Sequence, residues 1–225
     1  MTALTPFLQT VSISSALVAA GGIATLTLFD VPILQSQPAS RSLPSTRWLF
    51  SRGSHIFPTA AFVSSAGFGV LGFQALPFPP SQLFKAIGSR GIRAIGARSG
   101  GYILAGLLCL SIAPWTSMVM IPNNFALIKL NADKNGSRSV KSAAALKSVP
   151  QDGTRPRTAL DSVNGKGEAD QWTELSGPQE ETLLKSSVAE DEKVREMLGL
   201  FGRQNMARAV FMGLGGVVGL WAALL

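Results

Sequence analysis

Ile112-Ala113-Pro114-Trp115-Thr116-Ser117-Met118-Val119-Met120-Ile121-Pro122-Asn123-Asn124 closes an uncharged run with two prolines, a tryptophan and a polar pair. Tyr102 to Ile121 is 20 residues without a charge, and about 20 apolar residues cross a ~30 Å hydrocarbon layer as a helix. The stretch therefore reads as the exit of a membrane helix. Pro114 lies inside the span and frees a backbone carbonyl one turn earlier, which must find a partner within the protein. Thr116 and Ser117 stand close enough to supply one. Trp115 is set too deep for a purely interfacial aromatic and is expected to face other helices. Pro122, Asn123 and Asn124 are expected at head-group level, the two asparagines ending the helix.

Three further uncharged runs accompany this one. Val11 to Phe29 has 19 residues, follows ten residues without a charge, and is ended by Asp30-Val31-Pro32. With no basic start and a long core it reads as a retained helix and not a cleaved signal. Ile56 to Leu76 has 21 residues, is rich in Gly, Ala and Ser, and stops at Pro77. Ala209 to Leu225 has 17 residues and carries Gly213, Gly215, Gly216 and Gly219, with Gly215 and Gly219 forming a G-x-x-x-G pair suited to close helix packing. Between the first two runs, Gln35 to Arg52 reads as a connection rich in Ser, Pro and Arg, and Lys85 to Gly100 as a basic, Gly-rich one.

The expected fold is thus an all-α membrane protein, a four-transmembrane-helix bundle. Residues 1–129 hold helices 1 to 3. Residues 130–187, dominated by Lys, Ser, Asp, Gly, Asn and Gln, form a long polar loop expected to be disordered, because too little apolar surface is present to offset the ordering entropy. Residues 188–225 form one long helix: Glu190, Asp191 and Glu192 sit at its start, Val194, Met197, Leu198 and Phe201 share one face, and its end is transmembrane helix 4.

Of the 225 residues, 46% are hydrophobic and 15% charged, well below the ~25% charge of an ordinary soluble domain. The net charge of +7 comes from Arg and Lys residues flanking apolar runs, since Lys129 to Arg203 carries 12 basic and 12 acidic side chains that cancel. A nucleic-acid partner is therefore not expected, and the lipid bilayer is. Charges near the helix ends favour a cytosolic long loop. The organelle is left open, the endoplasmic reticulum among the options. Cys109 is the only cysteine, so no intrachain disulfide forms. One cysteine and one histidine cannot build the usual nitrogen and sulfur metal shells, and no carboxylate interrupts the apolar runs, so neither a metal site nor a proton relay is expected.

Four helices, Arg47-Trp48 followed by Gly53 and Pro58, the run Pro114-Trp115-Thr116 with Met120, Pro122 and Asn124, and Phe201 with Asn205 and Arg208 together resemble the anthrone oxygenase family. These are small four-helix membrane proteins, often fungal, of polyketide pathways. The chain departs from that pattern in having Phe201 at a position associated with tryptophan, Trp115 at one often held by phenylalanine, and a longer third connection.

The resemblance implies a cofactor-independent oxidation of an anthrone by dioxygen to an anthraquinone, in secondary metabolism. The partners it implies are a polycyclic aromatic small molecule and dioxygen, together with enzymes of the pathway. The chemistry needs a base for an acidic methylene and donors for an enolate oxygen. His55, the one group with an ordinary pKa near neutrality, is the candidate base. Arg47, Asn205 and Arg208 are candidate catalytic donors, and Trp48, Trp115, Thr116 and Asn124 candidate substrate contacts. Each has a plainer role open to it: solvation for His55, snorkelling for Arg208, a lipid-phosphate contact for Arg47, an interfacial belt for Trp48. The rival to an oxygenase is a non-catalytic membrane scaffold or accessory protein whose long polar loop, too long for a simple connection, recruits partners.

Overall fold

The computed structural model describes residues 4–148 and 176–225. Four helices are long and apolar enough to cross a membrane: α1 Leu4–Gln35, α2 Ala39–Gln74, α4 Ala97–Asp133 and α6 Val188–Leu224. Among the described residues, two short helices join them, α3 Leu83–Arg90 and α5 Val140–Ser148. No strand occurs among the described residues. The protein is an all-helical, multi-pass membrane protein.

Every long helix overruns its apolar sequence. α1 continues past Pro32 to Gln35, and α4 past Pro122 to Asp133. Both do so by the same local device: a single wide turn, Leu26–Asp30 in one and Thr116–Met120 in the other, ends one residue before the proline's own predecessor. A proline inside a helix lacks the N–H for the carbonyl four residues back and presses its ring on it. A π turn widens the spiral at that point, and such turns concentrate at functional sites. The helix therefore continues through both expected stop signals. α2 likewise begins at Ala39, well before the apolar run, because Ala39, Leu43 and Phe50 recur at helical spacing among the serines and arginines of the presumed connection.

The chain divides into two compact units. The first takes the described parts of residues 1–24, 57–115 and 206–225 and the second those of residues 25–56 and 116–205. We call them the membrane unit and the polar unit.

The membrane unit is packed through small residues. A side chain at Gly215 would meet Cys109 Sγ at 2.6 Å and the Ala105 carbonyl at 3.1 Å, and one at Gly219 would fall inside the Phe68 ring. The G-x-x-x-G pair thus lets α6 lie against α2 and α4 at near-backbone distance. Cys109 is fully buried here as a small apolar group. Tyr102, also buried, stacks on Phe68 at 6.4 Å and accepts a hydrogen bond from Gln9 Nε2 at 2.7 Å. Outward, Phe7, Val18, Phe62, Leu104, Leu107 and Val217 are exposed, as a lipid-facing shell requires.

The polar unit has a conventional apolar core, Leu34, Ala39, Leu43, Leu127, Val194 and Leu198. Phe50 meets Phe201 edge-on, centroids 5.0 Å apart. Around it, the ends of the stretch expected to be disordered are ordered, while residues 149–175, the middle of that stretch, lie outside the described residues. α4 closes at Lys134 on a left-handed Asn135 (φ 54°), with Asn135 N–H on the Ala132 carbonyl and Gly136 N–H on that of Asn131, a paired terminal arrangement that satisfies the last carbonyls. Residues 176–187 then run over the unit as a strap. Gly177 O accepts from Val140 N, Ser176 O from Trp48 Nε1, and Ser40 O from Thr182 N at 2.8 Å. Ser40 is the carbonyl that Pro44, four residues on, cannot serve, so the strap supplies the donor that the proline removed. Order is gained here through backbone hydrogen bonds and buried Ser137, Ser139, Ser142 and Thr182, which hydrophobic composition does not register.

α6 starts on Ser187, whose N–H donates to Glu190 Oε2 at 2.7 Å while Glu190 N–H returns to Ser187 Oγ at 3.4 Å. This reciprocal cap satisfies two of the free donors at the helix start. Lys134 Nζ adds an ion pair to Glu190 at 2.7 Å. Together these contacts hold the Glu190 carboxyl well below the usual range, at about 2, the Lys134 hydrogen bond being the largest cause and the Ser187 N–H the next.

Candidate active site

In the polar unit the 197–205 stretch of α6 is the hub on which polar side chains of the other helices converge. Asn123 Nδ2 donates to the Met197 carbonyl at 3.0 Å, and Thr27 Oγ1 to the Gly202 carbonyl at 3.2 Å. Gln204 Nε2 donates to the carbonyl of Val119, inside the wide turn of α4, at 3.1 Å. Asn205 is fully buried and reaches Thr27 Oγ1 from Nδ2 at 3.5 Å. A helix carbonyl normally has its N–H partner inside its own helix. Here the widened turn of α4 turns Val119 outward to a side chain from α6, and Thr27 lies within the corresponding turn of α1.

Six of the eight candidate residues belong to this unit. Arg47 is nearly fully buried in α2. Trp48, beside it, gives its indole N–H to Ser176 O at 2.9 Å and carries the Arg52 guanidinium over its ring at 5.3 Å, so the strap and Arg52 occupy its polar edge and one face. His55 is half-buried two turns further along α2. Thr116 opens the wide turn of α4. Asn124 does not end a helix, which runs on to Asp133, and its Oδ1 is buried and accepts no hydrogen bond from any described residue. Its neighbour Asn123 clamps α4 to α6. Asn205 completes the six.

The other two lie in the membrane unit. Arg208, one turn beyond Asn205 on α6, is 8% exposed, its guanidinium 5.7 Å over the Phe57 ring. That is a cation–π seat and not an outstretched interfacial position. Trp115 packs edge-on against Phe211 at 5.7 Å and 82°, facing another helix as its depth in the run implies.

A family model of anthrone oxygenases matches residues 47–218. The chain belongs to the anthrone oxygenase family. The matched span begins at Arg47 and takes in all eight candidate residues, so this anthrone oxygenase family member carries its candidate chemistry wholly within the family region. α1 lies outside it, and with it Thr27, which the sequence reading passed over as one more residue of an apolar run. Gln204 was missed for a different reason: its partner is a backbone carbonyl, and only the widened turn of α4 makes that carbonyl available. No match was found among curated proteins or solved structures. Among the described residues, no three His, Cys, Asp or Glu side chains gather to hold a metal.

Proposed function

We propose that the protein is a cofactor-independent membrane oxygenase that converts an anthrone-type polyketide to the anthraquinone with dioxygen. Family membership supports oxygenase chemistry, and the observation that carries the substrate class is Asn124 Oδ1. A buried amide oxygen without a donor costs on the order of 1–3 kcal/mol, and a phenolic O–H on a planar aromatic ligand is a donor that would recover it. The apolar surroundings of a helical bundle suit such a ligand.

In this reading His55 takes a proton from the methylene between the two rings, leaving an enolate whose negative charge is shared with the opposite oxygen. Arg47 and Asn205 donate to that oxygen, and Arg208 stays a separate candidate within the membrane unit. The carbanion carbon bonds to dioxygen, which is reduced to a peroxide anion. The proton held by His55 returns to give the hydroperoxide. Loss of the second methylene hydrogen as a proton, with cleavage of the O–O bond and departure of hydroxide, forms the new carbonyl and releases water. The balance is anthrone plus dioxygen to anthraquinone plus water, with no external reductant.

The test is direct. Membranes holding the expressed protein are incubated with an anthrone, and quinone absorbance is followed against membranes lacking it, with and without oxygen. Quinone formation above the empty membranes, dependent on oxygen, is expected. Equal rates in the two membranes would sink the proposal and favour the scaffold reading.

A further inference from the structure

The connection between α2 and α4 holds the most exposed large apolar side chains outside the spanning helices. Leu83, Ala86 and Ile87 of α3 are half-buried and share one face of the helix. Phe84 is 86% exposed, and Ile92, just past the Gly91 turn that ends α3, is 78% exposed. Each is followed directly by a cation, Lys85 and Arg93, and Arg98 stands at the start of α4. The whole membrane unit contains no aspartate or glutamate, and none of these three cations forms an ion pair with a described residue. The segment is tied at both ends to helices that cross the bilayer, α2 ending at Gln74 and α4 beginning at Ala97, so it cannot move far from the membrane surface.

We propose that Leu83–Ile95 is an interfacial anchor bound to anionic lipid head groups, with Phe84 and Ile92 among the upper acyl chains and Lys85, Arg93 and Arg98 on phosphates. An amphipathic segment with aromatic and aliphatic residues beside lysine and arginine has the composition of a helix that lies in the interface plane. Each basic residue near an anionic surface contributes about fivefold in binding. A protein partner would have to bring both an acidic surface and an apolar one, whereas a bilayer presents both at the depth where the segment is tethered. The inference is independent of the oxygenase reading.

The experiment uses the full chain carrying Phe84→Cys labelled with an environment-sensitive fluorophore. Cys109 is fully buried, which directs labelling to the new thiol, and the labelled parent gives the background. The protein is reconstituted in discs of phosphatidylcholine alone or of phosphatidylcholine with phosphatidylglycerol. Emission is expected to shift to the blue in the anionic discs, and the shift to weaken as salt rises from about 0.1 M to about 1 M, over which the screening length falls from ~10 to ~3 Å. Adding Lys85→Gln, Arg93→Gln and Arg98→Gln should reduce occupancy of the inserted state by roughly a hundredfold, from the fivefold contribution of each charge. Lys85→Arg with Arg93→Lys and Arg98→Lys should restore it. The same emission in both discs, or a blue shift that survives neutralisation of all three, would overturn the proposal.

Discussion

In the membrane unit the closest helix approaches run through glycine, with Gly215 on Cys109 and Gly219 on the Phe68 ring. In the polar unit they run through amides and hydroxyls, with Asn123 on Met197, Thr27 on Gly202 and Gln204 on Val119. The environment explains the contrast. Lipid is as apolar as leucine, so helices in it gain nothing from burying leucine and depend on shape, which small residues provide. The polar unit instead has a cluster of buried leucines, Leu43, Leu127 and Leu198 among them. Polar groups can then be placed between helices, provided each finds a partner. The polar unit accordingly holds buried donors, Asn205 and Arg47 among them.

The largest effect expected on this contrast comes from filling the membrane unit's closest approach. Gly219→Leu places a side chain inside the Phe68 ring, and overpacking of this kind costs about 1–3 kcal/mol, occasionally more. The variant should be recovered poorly from detergent as a monodisperse species and should unfold at lower temperature than the parent. Gly21→Leu, at a glycine with open space around it, should be recovered at parental level. Equal losses for the two would show that shape is not what holds this unit.

The polar unit should respond in activity before stability. Asn205→Ala is expected to slow quinone formation roughly tenfold or more, as removal of one donor to developing charge does, with little change in protein level. Arg208→Gln should fall similarly if its charge serves the reaction. Arg208→Lys separates a point charge from a planar guanidinium, because lysine keeps the cation but not the stacked fork. Gln and Lys variants as active as the parent would remove Arg208 from the mechanism and leave it as a packing partner of Phe57.

A smaller effect concerns the cap of α6 and depends on pH. The Glu190 carboxyl is held at about 2 against an ordinary 4.5. A lowered folded-state pKa stabilises the fold above the unfolded value, and that contribution is lost as pH falls towards the folded one. Amide exchange at Ser187 and in the strap should therefore quicken between about pH 4.5 and 2. Glu190→Gln should quicken it at neutral pH and flatten the profile across that window. An unchanged profile in the variant would mean that another group governs the opening.

The smallest effect is expected from the middle of the third connection. Replacing residues 149–175 by a short Gly-Ser linker, with 176–187 retained, should leave four protease-protected membrane segments. Loss of one of them would show that the segment carries structure on which the fold depends.

The sequence by itself determined the helical class, the number of spans and the face-to-face packing through Gly215 and Gly219, because lipid imposes runs of about 20 apolar residues and rewards small residues at fixed spacing. It also carried the acids at the start of the last helix, and the family motifs, which hold seven of the eight candidate residues, all but His55. Tertiary structure alone decided where the helices end. Pro32 and Pro122 read as stops, yet one wide turn before each lets the helix continue, and whether a helix breaks or widens is settled by what receives the displaced carbonyls. Val119 is received by Gln204, 85 residues away in sequence. The freed Ser40 carbonyl is met by Thr182, in a strap whose composition predicts no order. Such partners are invisible to periodicity, since a hydrogen bond between distant backbone and side chain leaves no repeat in the chain. For the same reason Asn123 and Asn124, adjacent and chemically identical, have different fates: the helix turns one to the Met197 carbonyl and leaves the other's buried oxygen facing no donor.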